Sequence, residues 1–595
     1  MSPITSNNRR DIDDRIHYWI PRHLKSVEVT SREIDLKVAG ILGSRLYHGL
    51  KYECDLLILT EENWQDLLNY SRPDILIVES CRQSYTGDWR FAQSCGTDKN
   101  KLLIELLEFA KKKNIPLVYW NTSDSVYHSY YGYIASYFDY VFCADPEEVS
   151  NLSSNGISAV ELLPAIQPKI HNSIKNIGEL NESLSGVYFD GWSDLLRYRE
   201  LTDYLEVASS FNLVMIDSKS EIDSRKLSDT PEFKANIAGC VDYQDRLAII
   251  RNATAVLTFD ESLKTKTEMN WDSLEVLASR IPIVHIGSLP KDDFRKKYVL
   301  EVNDSESLEK ILHQLTTDYE YYQRLVHHNW RKIYKACTYQ HRLTEVCNVI
   351  GINLKREKSP LVTVILPTHR PQLLEKNIEM FQKQTYLEKE LVIVINSSKS
   401  ELGCCVDVEK YNNIKILFQP ADMYAGACLN VGLHTANGKY CLRMDDDDYY
   451  GPNYISDMML HLKSVDADVF GKPPSYIYFE EDDELYARDN NKTRLSILNN
   501  EKVIEGHLRL SGNSIGAKTD VLKKCEYRDT IFGSADTEFL VEAASKNLKI
   551  YAFDDRGLVA CRRSDSDSHT WRDTKETLLK NARLVQDFSL KQLID

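Results

Sequence analysis

The chain has 595 residues, too many for one hydrophobic core, and three or four domains of ordinary size are expected. With 43% hydrophobic and 27% charged residues it reads as soluble and globular, and a net charge of −16 with no Lys/Arg cluster excludes nucleic-acid binding as its main business. The amino terminus lacks a signal-like apolar core, nowhere do about 18 apolar residues run together, and the thirteen cysteines include no C-x-x-C; a cytoplasmic protein with reduced thiols is expected, with peripheral membrane contact left open.

Residues 1–35 are polar and charge-mixed and are expected to form an arm, with an amphipathic patch at 16–24 interrupted by Pro21. From Leu36 a different rhythm begins. Apolar, β-branched runs at 36–42, 55–60, 74–79, 116–121, 140–143 and 159–163 are separated by helix-like segments, of which 101–113 (KLLIELLEFAKKK) has apolar residues at helical spacing. Such alternation implies a parallel sheet covered on both faces, and 36–180 reads as one Rossmann-like domain. The pattern restarts in 181–352, with strands predicted at 186–189, 213–216, 253–259 and 281–286. Helices are predicted there at 195–209, 243–251, 272–279 and 305–318, followed by a wholly helical stretch at 319–350. Two successive doubly wound domains place ligands at the carboxyl ends of their strands. Residues 353–360 (NLKREKSP) read as a linker. A third α/β domain, 361–595, opens with apolar runs at 361–366, 391–395, 414–418 and 440–444.

The last of these runs ends in Asp445-Asp446-Asp447-Asp448. Adjacent carboxylates repel by about 1 kcal/mol per close pair in water and several-fold more at an effective dielectric of about 20. A divalent cation removes that cost, and oxygen-only ligands suit Mg²⁺ or Mn²⁺, which can share a substrate diphosphate. Taken alone, the run is equally compatible with a solvated acidic loop.

Five ordered blocks carry a resemblance: VTVILPTHRP (362–371), FQKQTY (381–386), ELVIVINSS (390–398), YAGACLNVGLHTANGKY (424–440) and RMDDDD (443–448). Over residues 360–575 the chain resembles the family-2 glycosyltransferases of GT-A fold. The resemblance implies that Asp445 and Asp447 form a D-x-D motif holding a metal and the diphosphate of a nucleotide-sugar donor. Asp448 would lend support, and Asp446, beside the donor, would be the most dispensable of the four. Pro367, Thr368, His369 and Arg370 would lie against the nucleotide. Asn396 stands where the family usually has an Asp for the base. Gly426 and Asn430, with Gly432 and Gly438, match donor-side positions, although each also has a purely structural reading.

Further on, GSADTEF (533–539) resembles the family segment that carries the general base, here Asp536 with Glu538 in reserve. Ala535 replaces the Glu often found beside it, and an Asp near a helix start is also a common cap. His569 in DSHTWR falls where related enzymes place a metal-ligating or acceptor-site His, and a His ligand would favour Mn²⁺. Trp571 could offer a stacking surface for a sugar. The segments 471–480 (GKPPSYIYFE) and 510–518 (LSGNSIGAK) are expected to build the acceptor side.

In the amino-terminal half, Tyr119-Trp120-Asn121 with Asp124, FDYVFCAD (138–145), ELLPA (161–165) and SLEVLASRIPIV (273–284) are similar to bacterial spore-maturation-type glycosyltransferases of GT-B fold. Glu275 takes the place of a ribose-binding Glu. Arg280 stands where that segment usually has a glycine, and Thr267 where it has a second acidic residue, with Glu268 one step away. The expectation is therefore an α/β protein with two Rossmann-like, GT-B-like domains followed by a GT-A domain. It would be an inverting, metal-dependent glycosyltransferase, using Mn²⁺ or Mg²⁺ and extending a bacterial surface glycan of O-antigen or capsule type on a glycan or lipid-linked glycan acceptor. Whether it is bifunctional or has a degenerate amino-terminal scaffold, and whether it forms a homo-oligomer, stay open at this point.

Overall fold

Apolar strands buried on both faces need parallel neighbours and covering helices, and the first half of the chain is built that way. The computed structural model describes residues 34–176, 185–191, 201–217, 236–241, 243–259, 266–354, 358–397, 411–488, 493–529, 534–563 and 575–586. The expected arm, up to residue 33, and part of the expected linker, 355–357, lie outside the described residues. The chain divides into two compact units: Met1–Ser173 with Asn181–Glu357, and Ile174–Leu180 with Lys358–Asp595.

In the first unit, β1 (Lys37–Ile41), β2 (Asp55–Ile58), β3 (Ile75–Glu79), β4 (Leu117–Asn121), β5 (Tyr140–Cys143) and β6 (Ala159–Glu161) make a parallel sheet in the order β2-β1-β3-β4-β5-β6. Every residue of β3 and β4 is buried. The helix Asp98–Lys112 packs against them through Leu103, Leu106, Leu107 and Ala110, a single face at helical spacing. It starts at Thr97, whose Oγ1 accepts the Asn100 N–H at 3.0 Å.

After β7 (Lys175–Asn176), which belongs to the second unit, the chain forms a second parallel sheet. Its strands are β8 (Gly186–Asp190), β9 (Val214–Asp217), β10 (Ile237–Cys240), β11 (Ala253–Phe259), β12 (Ile283–Ile286) and β13 (Leu300–Val302), in the order β10-β9-β8-β11-β12-β13. The sequence pattern does not mark β10 and β13, short strands at the two edges of the sheet. The helical stretch expected over 319–350 is divided into Tyr319–Ala336 and Tyr339–Ile350. Thr338 starts the second helix: its Oγ1 accepts the His341 N–H, and His341 Nδ1 accepts the Thr338 N–H, a reciprocal cap. This last helix returns to the first sheet, burying Tyr339, Leu343 and Val346 with Val38, Ile77 and Val118.

Buried charges also tie the two sheets of this unit. Arg45, just after β1, reaches Asp272 (2.6 Å) and Glu275 (2.9 Å) on the helix Lys266–Ala278. Arg246 bridges Asp190 at the end of β8 (2.8 Å), Glu275 (2.8 Å) and Asp272 (3.2 Å). Tyr243 donates its hydroxyl to Glu275 (2.9 Å). His171 Nδ1 accepts the Gln167 N–H (2.8 Å), so its proton sits on Nε2 and is donated to Tyr243 (2.9 Å). Burial, then the charges of Arg45, Arg251 and Arg246, hold His171 well below its ordinary pKa and keep it neutral.

In the second unit, β14 (Val362–Thr368), β15 (Lys389–Ile395), β16 (Ile414–Phe418) and β17 (Tyr440–Arg443) are parallel. They are followed by β18 (Tyr449–Tyr450), β19 (Val469–Gly471), β20 (Tyr476–Phe479), β21 (Glu484–Arg488), β22 (Ser496–Ile497), β23 (Gly516–Lys518), β24 (Ile550–Ala552), β25 (Leu558–Arg562) and β26 (Ala582–Leu584). A mixed sheet runs β16-β15-β14-β17-β23-β19-β24-β22-β7, and a smaller one β18-β25-β20-β21-β26. β7 adds to β22 in parallel, Lys175 opposite Ser496. That pairing places 174–180, assigned from sequence to the first Rossmann-like domain, with the second unit instead. No described helix is long and apolar enough to cross a membrane.

Arg246 is the obvious place to test the buried network. Arg246→Leu leaves Asp190 and Glu275 short of a partner, and a loss of about 3–5 kcal/mol is expected for breaking such an interaction. Urea unfolding followed by circular dichroism measures it; a loss under about 1 kcal/mol would show that the network is not a brace.

Candidate active site

The acidic run follows directly on β17, with Asp446 and Asp447 in a turn and Asp448 in a bend, and the directions of its side chains decide how it is used. From Leu442 to Tyr450 buried and partly exposed residues alternate without a break. Asp446 and Asp448 point inward; Asp445 and Asp447 keep side-chain exposures of 23% and 15%. Arg443, two residues before Asp445 and on the same side, grips both of its oxygens, Nε at 2.5 Å and Nη2 at 2.8 Å. The Asp445 N–H donates to the Tyr450 hydroxyl (2.8 Å), which donates to the Asn513 carbonyl (2.7 Å).

Asp446 accepts from Thr368 Oγ1 and from Arg370 Nε (3.0 Å) and Nη2. Arg370 Nη2 also lies 3.0 Å from Asp447. The expectation that Asp446 is the most dispensable of the four does not fit this geometry, because its side chain points inward and ties the loop after β14 to the acidic run. Asp448 accepts from Asn513 Nδ2 and from the Cys561 N–H (2.9 Å). Burial, reinforced by the charges of Asp447 and Asp445, pushes its pKa up to about 8. Burial also raises Asp445, against the opposing pull of Arg443.

Parallel strands bring the other candidate residues to the same edge. Pro367 and Thr368 end β14, and the Asn396 N–H donates to the Thr368 carbonyl at 3.1 Å. Asn396 Nδ2 is used on the Met423 carbonyl (2.9 Å). Gly426 and Asn430 lie on the helix Ala425–Thr435. Both ends of the Asn430 amide bond the Tyr527 backbone (2.7 and 3.0 Å), and a Cβ at Gly426 would stand 2.1 Å from the Arg528 carbonyl oxygen. In this structure both residues hold the 527–528 backbone.

Asp536 and Glu538 occupy the first turn of the helix Ala535–Ser545. Asp536 rests on Gly512, where an added Cβ would meet its Oδ2 at 2.0 Å, so only glycine leaves it room. Burial opposes the Arg443 charge, but Asp445 and, more weakly, Asp536 outweigh it and push the guanidinium pKa up. Arg443 therefore feels the acidic run on one side and the candidate base on the other. Glu538 accepts from Ser534 Oγ (2.8 Å) at the helix start and lies 3.8 Å from Arg528. Gly533, His569 and Trp571 lie outside the described residues.

The turn at 511–513 was not singled out as a unit from the sequence. It reaches the site because β23, which follows it, pairs antiparallel with β17. A small open cleft lies beside it, lined among others by Lys472, Ser475, Tyr476, Arg488, Ser511 and Asn513. The segments 471–480 and 510–518 supply most of that wall. Lys472 is fully buried and paired with Asp554 (2.9 Å), which also holds His461 (2.6 Å).

Among the described residues no group of three or more His, Cys, Asp or Glu is already arranged as a metal cage. The donor chemistry nonetheless fits a hard divalent cation: two guanidinium groups pair with three of the four carboxylates, and the two carboxylates on the open side supply oxygen ligands. Glu275, the candidate in the first unit, is fully buried with both oxygens engaged by Arg45, Arg246 and Tyr243. Arg280 has φ +60°, a backbone conformation that favours glycine. The Thr267 N–H donates to the Asp124 carboxylate at 3.1 Å, so Asp124 caps that helix.

The raised pKa of Asp448 means that the native state binds more protons than the unfolded chain between about pH 4, its unfolded value, and about pH 8. Its contribution to stability therefore falls as pH rises through that window. Without added metal, Asp448→Asn is expected to melt higher than the wild type at pH 8 and to lose most of that advantage at pH 5. Thermal melts at the two pH values check this; an equal difference at both would refute it.

Residues 363–521 match the model of glycosyl transferase family 2. WcaA of Escherichia coli K12, named as a colanic acid biosynthesis glycosyl transferase, is 29% identical over 124 residues, 20% of this chain and 44% of its own. The glycosyltransferase GlyG of Streptococcus pneumoniae is 30% identical over 132 residues, 22% of this chain and 43% of its own. The chain thus spans under half the length of these curated relatives. Among solved structures, the mannosyltransferase PcManGT of Pyrobaculum calidifontis, in complex with GDP-Man and Mn²⁺, matches with a TM-score of 0.27 at 17% identity, over 34% of this chain and 57% of its own. TarS of S. aureus (residues 1–349), in complex with UDP-GlcNAc, matches with a TM-score of 0.26 at 20% identity, over 34% and 59%. The stretch matched by the family 2 model carries Thr368, Asn396, the four aspartates and the 511–513 turn.

Proposed function

We propose that the second unit is a metal-dependent, inverting glycosyltransferase that moves a sugar from a nucleotide-sugar donor to a bacterial surface glycan. The observation that carries this reading is the alternation of Asp445 to Asp448 at the carboxyl end of β17, inside the family-2 domain and beside Thr368 and Asn396. Asp445 and Asp447 would hold Mn²⁺ or Mg²⁺, with His569 as a further ligand suggested by the sequence. A cation bound there supplies positive charge to a leaving diphosphate.

The chain's own residues do the rest. Thr368 and Arg370 fix Asp446 and so fix the run against the loop that faces the nucleotide. Asn396 and the end of β14 line the same edge. Asp536, seated on Gly512, takes the proton of the acceptor hydroxyl, whose oxygen then attacks the anomeric carbon. Glu538 is committed to the start of its helix and stays the lesser candidate. The cleft beside 511–513 faces the acceptor.

The first unit supports a GT-B-like reading through its two six-stranded parallel sheets and the helix that returns to the first of them. One observation favours a non-catalytic scaffold there over a second active site. The carboxylate that would bind a nucleotide ribose, Glu275, is saturated by the chain's own cations and has no exposed surface.

With Mn²⁺ and a panel of UDP- and GDP-sugars, the full chain is expected to release nucleotide, and Asp445→Ala to slow this by about a hundredfold or more. Glu275→Gln is expected to leave the rate within about twofold. Donor-independent silence of the wild type, or an unaffected Asp445→Ala, would end the proposal. Gly512→Ala, which displaces Asp536, is expected to lower kcat for transfer by at least about tenfold with donor KM little changed; a purely donor-side effect would remove Asp536 from the role of base.

A further inference from the structure

The two carboxylates assigned to the cation are already held by cations of the chain. Arg443 takes both oxygens of Asp445, and Arg370 takes Asp447 while also holding Asp446. The grip on Asp445 is geometric: a two-residue spacing at the end of β17, a planar fork on a carboxylate and contact lengths of 2.5 and 2.8 Å. Arg443 is fixed by its own backbone as well, since its N–H donates to the Ile515 carbonyl at 2.9 Å, next to the turn that seats Asp536.

We propose that Arg443 is a built-in counter-ion that a metal must displace from Asp445, and that its guanidinium on release turns towards Asp536. This rests on the reading of Asp445 as a metal ligand. Two like charges cannot share one carboxylate at contact distance without a large mutual repulsion. Entry of the cation on Asp445 therefore expels the guanidinium, and the next carboxylate whose charge acts on it is that of Asp536, which rests on Gly512, three residues from the Ile515 carbonyl that Arg443 bonds. Arg443 is in this sense a positioning residue: it keeps the aspartate run folded without metal and links occupancy of the metal site to the candidate base. Arg370 is less free to move, because Asp446 stays buried and bound to it.

The test uses Mn²⁺ alone on the full chain, read by titration calorimetry without donor or acceptor. Arg443→Gln keeps hydrogen-bond donors and removes the competing charge; it is expected to bind Mn²⁺ about tenfold more tightly than the wild type. Arg443→Lys retains the charge and is expected to stay within about threefold of the wild type. Unchanged or weaker binding by a folded Arg443→Gln, with folding checked by circular dichroism, would overturn the inference, because a merely structural role predicts loss of affinity. Asp445→Asn separates this failure from that of the metal reading: if it binds Mn²⁺ as the wild type does, Asp445 is no ligand and the counter-ion role falls with it.

Discussion

The second unit depends on one constraint, four successive carboxylates carried on the turn that follows β17. The turn sends Asp446 and Asp448 into the protein and leaves Asp445 and Asp447 towards the open side. Each inward carboxylate must then be met by donors from elsewhere in the unit, and each set fixes a different part of it. Asp446 draws in Thr368 and Arg370 from the end of β14. Asp448 draws in Asn513 and the Cys561 N–H, which joins the turn before β23 to the strand β25 in the smaller sheet. The charges that look like a liability in the sequence are thus the points at which the two sheets of this unit are tied together.

The first unit meets the same problem with the opposite solution. Its acidic residues Asp190, Asp272 and Glu275 are answered by Arg45 and Arg246 inside the protein, and the network is closed by neutral donors from Tyr243 and His171. A saturated network of this kind contributes position rather than chemistry, since a ligand would have to break several buried contacts to enter. The aspartate run of the second unit is also held by the chain's own donors, but two of its four members reach the open side. Chemistry is therefore more readily placed in the second unit than in the first.

The sequence reads the fold well where a strand is one continuous, mainly apolar run. The runs at 140–143, 253–259 and 414–418 coincide with β5, β11 and β16 in both bounds. It fails where position is decided by partners rather than composition: β10 and β13 are short edges, and β7 is a strand only because β22 lies beside it. The division at Thr338 is a cap, invisible to periodicity because both neighbouring helices are amphipathic. In the site, motif spacing marks Asp445, Asp447 and Asp536, while the residues that hold them escape it. Arg443 had a local signal, its two-residue offset from Asp445. Gly512 and Asn513 are marked only as part of the 510–518 segment, and it is the pairing of β23 with β17 that brings them to the aspartates. Asn430 shows the reverse case, a motif position whose amide is committed to backbone, in keeping with the structural reading left open from the sequence.

The short strand β7 carries a consequence for how the chain can be divided. Lys175 and Asn176 complete the edge of the second unit's main sheet, yet they precede the whole second sheet of the first unit in sequence. The chain is therefore interleaved: it leaves the first unit, lends a strand to the second and returns before finishing the first. No single cut yields both units whole. A fragment beginning at residue 358 would expose β22 as an open edge, the kind of surface on which strands of other molecules add. During synthesis, likewise, β7 emerges long before the partner it will pair with, so the second unit closes around a segment made much earlier.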